Sequence, residues 1–356
     1  MDRQFSVTES RRKTRLMVLG GLLAVGSLAS VFAGCLFGPL SIPAAQVAEH
    51  LGTLFGFNAG QSLDPAMGLV VNDIRLPRAC LAWLAGASLA AAGAVFQGIL
   101  QNPLADPFTI GVSTGAAFGA SLAIFLGVAS LPLWLGMGVL PLAAMAGAVL
   151  ALAAVIALGR VAGRLRRETV VLAGIVVATF LSALISLLKS LDEEAVAGIV
   201  FWVMGSFQGR SWEHVAFAWP YMLFGGLAAL VWAREIDLLS MGDSQARLLG
   251  LDVDRSRLKL LLAASLMTGA AVSVSGVIGF VGLVVPHLVR LIIGAEHRPL
   301  VLVSALAGGV VLIWSDVVAR IILSGGQELP VGVITALLGG PFFCLLLRRR
   351  AGRASL

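Results

Sequence analysis

The chain has 356 residues, of which 58% are hydrophobic and only 12% charged, and its mean hydropathy is +0.96. A soluble domain cannot hide that much apolar surface, so the composition excludes a water-soluble globular protein and points to a polytopic membrane protein. The net charge is +6, but the basic residues stand beside apolar stretches, where they orient spans, and a nucleic-acid-binding role is excluded with them.

The first 15 residues are polar and basic and are expected to form a cytoplasmic tail. The run RRKTRLMVLGGLLAVGSLASVFAGC that follows resembles a secretory signal, and FAGC is loosely like a lipoprotein cleavage site. Residues 16–37 are nevertheless long enough to cross a bilayer and further spans follow, so an uncleaved first span is expected. Further spans are expected at 76–100, 108–126, 140–158, 170–188, 212–232, 258–277, 278–293, 300–323 and 331–347. That makes ten, in an all-α fold of one domain, with 42 glycines and few aromatics predicting helices that approach closely through small residues. The run 258–293 is too long for one span, and SVSGVIGFVG within it is where serines and glycines can bend one helix into two. AVAGIVFWVMGSF (195–207) is too short to cross and is expected to be a short outer helix lining the entrance, after a solvated acidic DEE loop at 192–194. Cys35, Cys80 and Cys344 all lie in apolar stretches without metal or disulfide spacing, and are expected to be small core residues.

With the N-terminus inside, this ten-span arrangement puts all but five of the 25 basic residues on the cytoplasmic side, the exceptions being Arg75, Arg78, Lys189, Arg210 and Arg320. Both termini are then cytoplasmic, and QNPLADPFTIGV (101–112) sits at the cytoplasmic end of spans two and three. Pro103 and Pro107 remove helix hydrogen bonds there, and Asn102 and Asp106 can bond the freed backbone groups, so a turn is expected. RLPR places Arg75 and Arg78 three apart at the outer end of span two, and a helix starting near Pro77 would project both guanidiniums outward. Arg320 stands at the outer end of span nine, one helical turn after Asp316, with which it can pair. The arginines can equally snorkel as interface anchors. MGDSQARLLGLDVDRSR (241–257) is too polar to be embedded. Asp243 can cap a short helix carrying Ala246, Leu248 and Leu249, and Gly250 can end it. His287 is a lone histidine better suited to satisfying backbone carbonyls than to ligating a metal.

Four ordered blocks, RLPRACLAWLAGASLAAAGAVFQGILQNPLADPFTIGVSTGAAFGA (75–120), MGDSQARLLGLDVDRSR, SGVIGFVGLVVPHLVRLIIGAEHRPL (275–300) and ELPVGVITALLGGPFF (328–343), resemble the permeases of type II ABC importers for iron chelates, haem and cobalamin. The resemblance implies a homodimer in the bacterial inner membrane, two ATP-binding subunits inside and a periplasmic substrate-binding protein outside. It implies that Asn102 and Leu104, with Glu168 and Thr169 at the start of span five, line a cytoplasmic gate, although RRET departs from the small hydroxyl residues expected there. It further implies that Arg75, Arg78 and Arg320 dock the binding protein. The coupling loop at 233–257 would seat Asp243, Ala246, Arg247, Leu248, Leu249 and Gly250 on the ATPase. An ordinary interface turn and an ordinary amphipathic surface helix remain the alternatives for the gate and the loop. The cargo implied is an iron-siderophore complex, or else haem or cobalamin.

No GxxxxGK[ST] phosphate loop occurs, so ATP and Mg would belong to the partner subunit; this chain is expected to hold no cofactor or metal and to be no enzyme. An ion-coupled secondary transporter is the rival reading, but the spans carry almost no ionisable residue away from their ends.

Overall fold

The computed structural model describes residues 2–54, 56, 64–131, 138–323 and 326–354. Along the chain run α1 (Asp2–Leu36), α2 (Ala44–Leu54), α3 (Pro65–Leu69), a π-helical turn (Val70–Arg75), α4 (Leu76–Ile99), α5 (Val112–Phe125) and α6 (Leu140–Gly159). A short antiparallel hairpin, β1 (Arg160–Val161) and β2 (Arg164–Leu165), leads into α7 (Arg167–Leu191), α8 (Glu193–Met204), α9 (Trp212–Val231), α10 (Ala233–Ser240) and α11 (Asp243–Leu248). The chain closes with α12 (Val253–Ser275), α13 (Val281–Ile293), α14 (His297–Ile321) and α15 (Val331–Ala354).

Among the described residues, seven helical stretches are long and apolar enough to cross a membrane: Thr14–Leu36, Pro65–Ile99, α6, α7, α9, α12 and α14. The shorter apolar helices α5, α13 and Val331–Cys344 supply the other three of the ten expected spans. Helices α4 and α12 form the centre, burying Leu81, Leu89, Phe96 and Ile99 on the one and Leu260, Leu261 and Met267 on the other. Around them the packing uses small residues where lipid offers no solvophobic drive between helices. A methyl group on Gly93 would overlap the Gly282 carbonyl of α13, and one on Gly86 would overlap the Gly308 carbonyl of α14, so these backbones touch only because both positions lack Cβ. The expected bend between α12 and α13 is real: α12 stops at Gly276 (φ +69°) and α13 starts after Phe280 (φ +67°).

Three departures from the sequence reading matter for function. The second span starts at Pro65, capped by Asp64, and not near Pro77. The π turn just before Pro77, where the Leu76 N–H donates to the Val71 carbonyl, opens the helical ladder where proline has no N–H to give and its ring would crowd the preceding turn, so the helix runs on through it. Arg75 and Arg78 are therefore inside a continuous helix. The second departure is the hairpin at 160–165, and the third is Cys344, which is exposed and not a core residue. Cys35 is buried, Cys80 is partly so, and all three thiols are free.

Candidate functional site

At the basic end of the bundle, α10 and α11 follow α9 after a break at Trp232. Helix α11 is a little over one turn, ended by Gly250 at φ +85°, whose N–H bonds the Arg247 carbonyl while the Leu251 N–H bonds that of Ala246. Asp243 does not cap it; the N-cap is Gly242, and the Asp243 carboxylate is drawn instead to Arg257, 2.6 Å away. Arg257 is only 1% exposed in the first turns of α12 and its other terminal nitrogen donates to the Leu165 carbonyl of β2. Asp254 accepts from the Leu165 N–H (2.9 Å) and from Arg247 (3.0 Å). The hairpin strand β2, the helix α11 and the start of α12 are thus one hydrogen-bonded block. Ala246 is its buried foot, whereas Leu248 and Leu249 are 87% and 59% exposed. A groove of about 670 Å³ runs between the hairpin and α11, lined by Arg164, Arg166, Arg167, Glu168, Asp243 and Arg247 among others.

The turn at 101–111 is tied to α10 and to the start of α7. Asn102 is exposed and its side chain accepts from the Leu104 N–H (3.0 Å), while Leu104 is partly buried. Asp106 accepts from the Phe108 and Thr109 N–H groups. Burial pushes its carboxyl up to about 6, and those two donors pull the other way. Gln101, in the left-handed region at φ +51°, donates to the Leu239 carbonyl at the end of α10 and accepts from Arg167 at the start of α7. It is the residue that brings the two predicted gate segments together. Glu168 is exposed and held by Arg167 at 2.7 Å, and the Thr169 hydroxyl bonds the Gly159 and Arg166 carbonyls (2.8 Å each). Asp237 on α10 caps α14 through the His297 N–H (2.9 Å) and ring (2.7 Å).

At the opposite end the three arginines expected on the outer surface are buried: Arg75, Arg78 and Arg320 are 4%, 7% and 4% exposed. Arg78 grips Asp316 with its Nε and Nη2 (2.8 Å at the shortest) and reaches Glu328 at 2.9 Å. Arg320 pairs with Asp316 (3.2 Å) one turn away, as the i, i+4 spacing allows. Its Nη1, with the Nη1 of Arg75, also donates to the Gly34, Cys35, Leu36 and Phe37 carbonyls. Those are the orphan carbonyls at the C-terminus of α1, where the helix dipole also favours a cation. The outward projection is thus corrected: the longer second span turns these side chains into the bundle, where carboxylates and a helix end await them. Asp192 caps α8, the short helix expected at 195–207.

Gln101, Arg167, Asp254 and Arg257 escaped the sequence reading because the partners that tie the segments together lie between 66 and 138 positions away, with only Glu168, Asp243 and Arg247 nearer along the chain. Among the described residues no group of three or more His, Cys, Asp or Glu is placed to hold a metal.

Residues 22–349 match the model of the FecCD transport family. The chain is 43% identical over 336 residues to an uncharacterized ABC transporter permease protein of Bacillus subtilis, covering 93% of each chain. It is 44% identical over 317 residues to the cobalamin import system permease of Halobacterium salinarum, covering 89% of this chain and 82% of that one. Among solved structures it is similar to a metal-chelate type ABC transporter in an inward-facing conformation, with a TM-score of 0.77 and 31% identity over 94% of this chain and 99% of that one.

Proposed function

This chain belongs to the FecCD transport family, and from that premise we propose that it is the permease of an ATP-driven importer in which separate subunits hydrolyse the nucleotide. Permeases of this family are not enzymes, and they work with an ATPase and a substrate-binding protein. The observation that carries the proposal is α11: two exposed leucines on a helix of one turn, fixed to α12 and the hairpin by the buried Arg257. Exposed apolar side chains on a rigid seat suit a groove on another subunit. Push α11, and the block moves with it. Helix α10 passes the motion to the turn at 101–111 through Gln101 and to α14 through Asp237 and His297, so closure of two ATPases would shift the gate residues Asn102, Leu104, Glu168 and Thr169.

Two copies of the chain form the pathway in this reading, with both termini in the cytoplasm and the binding protein docking at the end that carries the arginine cluster. The likeness to a metal-chelate transporter supports an iron-siderophore complex as cargo, with haem and cobalamin as alternatives. Against an ion-coupled transporter, the one carboxylate buried at the outer end of α14 is spent on neighbouring cations: Asp316 pairs with Arg78 and Arg320.

The test replaces Leu248 and Leu249 with Asp and follows co-purification of the ATPase subunit and uptake by reconstituted vesicles. Loss of both is expected, because two charges would enter an apolar seat. Unaltered co-purification and uptake would remove the coupling role, and uptake driven by a proton gradient with no ATPase present would sink the importer reading.

A further inference from the structure

The loop between α8 and α9 carries Arg210, at the end of the molecule that holds the arginine cluster. The other arginines of that end have their charges answered: Arg78 and Arg320 by carboxylates, Arg75 by the carbonyls of α1. Arg210 has neither. Its Nη1 lies 3.2 Å from His214 Nε2, and its Nε is buried with no hydrogen-bond partner among the described residues. Burial shifts the guanidinium down from its ordinary value, with no carboxylate to offset it.

Arg210 lines a cavity of about 370 Å³ between the ends of α5, α6, α8 and α12 and the segment before α15. Trp202 lines the same cavity, and its indole N–H is a second buried donor without an acceptor among the described residues. Ser206, Gln208 and Ser275 add polar atoms to the wall. The one carboxylate among the described lining residues, Glu328, is committed to Arg78: its Oε1 accepts from Nη1 (3.1 Å), and its Oε2 lies 2.9 Å from Nη2 as an ion pair without an aligned hydrogen bond. The frame is firm, because the Ser206 N–H bonds the Ser275 carbonyl (2.7 Å) and a methyl on Gly276 would overlap the Trp202 carbonyl. Buried donors in a native structure are nearly always satisfied by protein or water, so two unpartnered donors in residues around one cavity, one of them a guanidinium with no carboxylate paired to it, leave room there for an acceptor from outside the chain. The volume falls in the usual range of small-molecule sites, about 300–1,000 Å³.

We propose that this cavity receives an anionic oxygen group, a carboxylate or phosphate, of the cargo, with Arg210 as its cation and Trp202 as a further donor. The proposal rests on the importer reading for what the anion belongs to, and names the class of cargo: a chelate or cofactor that carries an acidic group into the chain. Guanidinium suits such a group through its planar fork of donors.

The test titrates the detergent-purified full chain with citrate and with inorganic phosphate by calorimetry, as wild type, Arg210→Gln and Arg210→Lys. Vesicles holding the complete transporter are assayed in parallel for ATP-driven uptake of ferric citrate, haemin and cyanocobalamin. Binding of at least one anion is expected, weakened about tenfold or more in Arg210→Gln and less in Arg210→Lys, all three unfolding at similar temperatures. A response to citrate alone assigns the site to carboxylates, and one to phosphate alone to phosphates. Equal binding by wild type and Arg210→Gln, or none by wild type, overturns the site; if ATP-driven uptake then continues undiminished in Arg210→Gln, the importer reading survives without it. Arg210-dependent binding with no ATP-driven uptake of any probe would leave the site and defeat the importer reading.

Discussion

Replacing Arg78 by Met keeps the apolar stem of the side chain and removes the guanidinium that Asp316 and Glu328 share. Asp316 is 1% exposed, so it cannot turn to water, and its remaining partner is Arg320 at 3.2 Å. Breaking a buried pair by removing one member costs about 3–5 kcal/mol, and the surviving Arg320 contact places this case near the lower end. Changing Asp316 to Leu in the same chain takes away the stranded carboxylate, while Arg320 keeps its bonds to the Gly34 and Phe37 carbonyls. The double variant should therefore be more stable than the sum of the single losses by about 2 kcal/mol. Glu328, 11% exposed on its side chain, still loses Arg78, so stability should not return to that of the wild type. Equilibrium unfolding in mixed detergent micelles, read by tryptophan fluorescence, measures all four corners of the cycle. Strict additivity, or an Arg78→Met protein as stable as the wild type, would refute the reading of this cluster as a buried structural network. The second of these results would restore an outward docking role for Arg78, because a guanidinium free to meet another protein would leave the isolated chain indifferent to its loss.

At Gly93, alanine should cost about 2–3 kcal/mol and leucine should prevent folding, since even a methyl group meets the Gly282 carbonyl; yield of monodisperse protein and its unfolding temperature decide it, and a stable Gly93→Leu would show the α4–α13 contact to be misplaced. Arg257→Met should strand the Leu165 carbonyl and loosen Asp243, at about 2–3 kcal/mol after discounting the partial exposure of Asp243. Hydrogen exchange should then quicken at 160–165 and 243–248 and stay unchanged around Arg78 and Asp316. Uniform exchange across both ends would argue against a separate block.

Much of this protein is written locally. Ten apolar stretches separated by polar breaks specify ten helices, because lipid leaves the backbone no other way to satisfy its hydrogen bonds. The turn at 101–111 follows from Pro103 and Pro107, and the end of α11 from Gly250, since each depends on dihedral preferences of the residue itself. The bend after Ser275 was legible for the same reason. What could not be read there is which way a charge faces. Arg75 and Arg78 look like surface residues until α3 and the π turn carry the second span past Pro77, and their partners stand up to 250 positions away. Arg257 reads as one more cytoplasmic positive charge, and only the arrival of Leu165 and Asp243 makes it the pin of a block. Arg210 is distinguished by what fails to reach it, which no window of sequence can display. Helix formation is settled by neighbours along the chain, whereas the pairing of buried charges is settled by neighbours across it, where a single low-dielectric contact outweighs local preference.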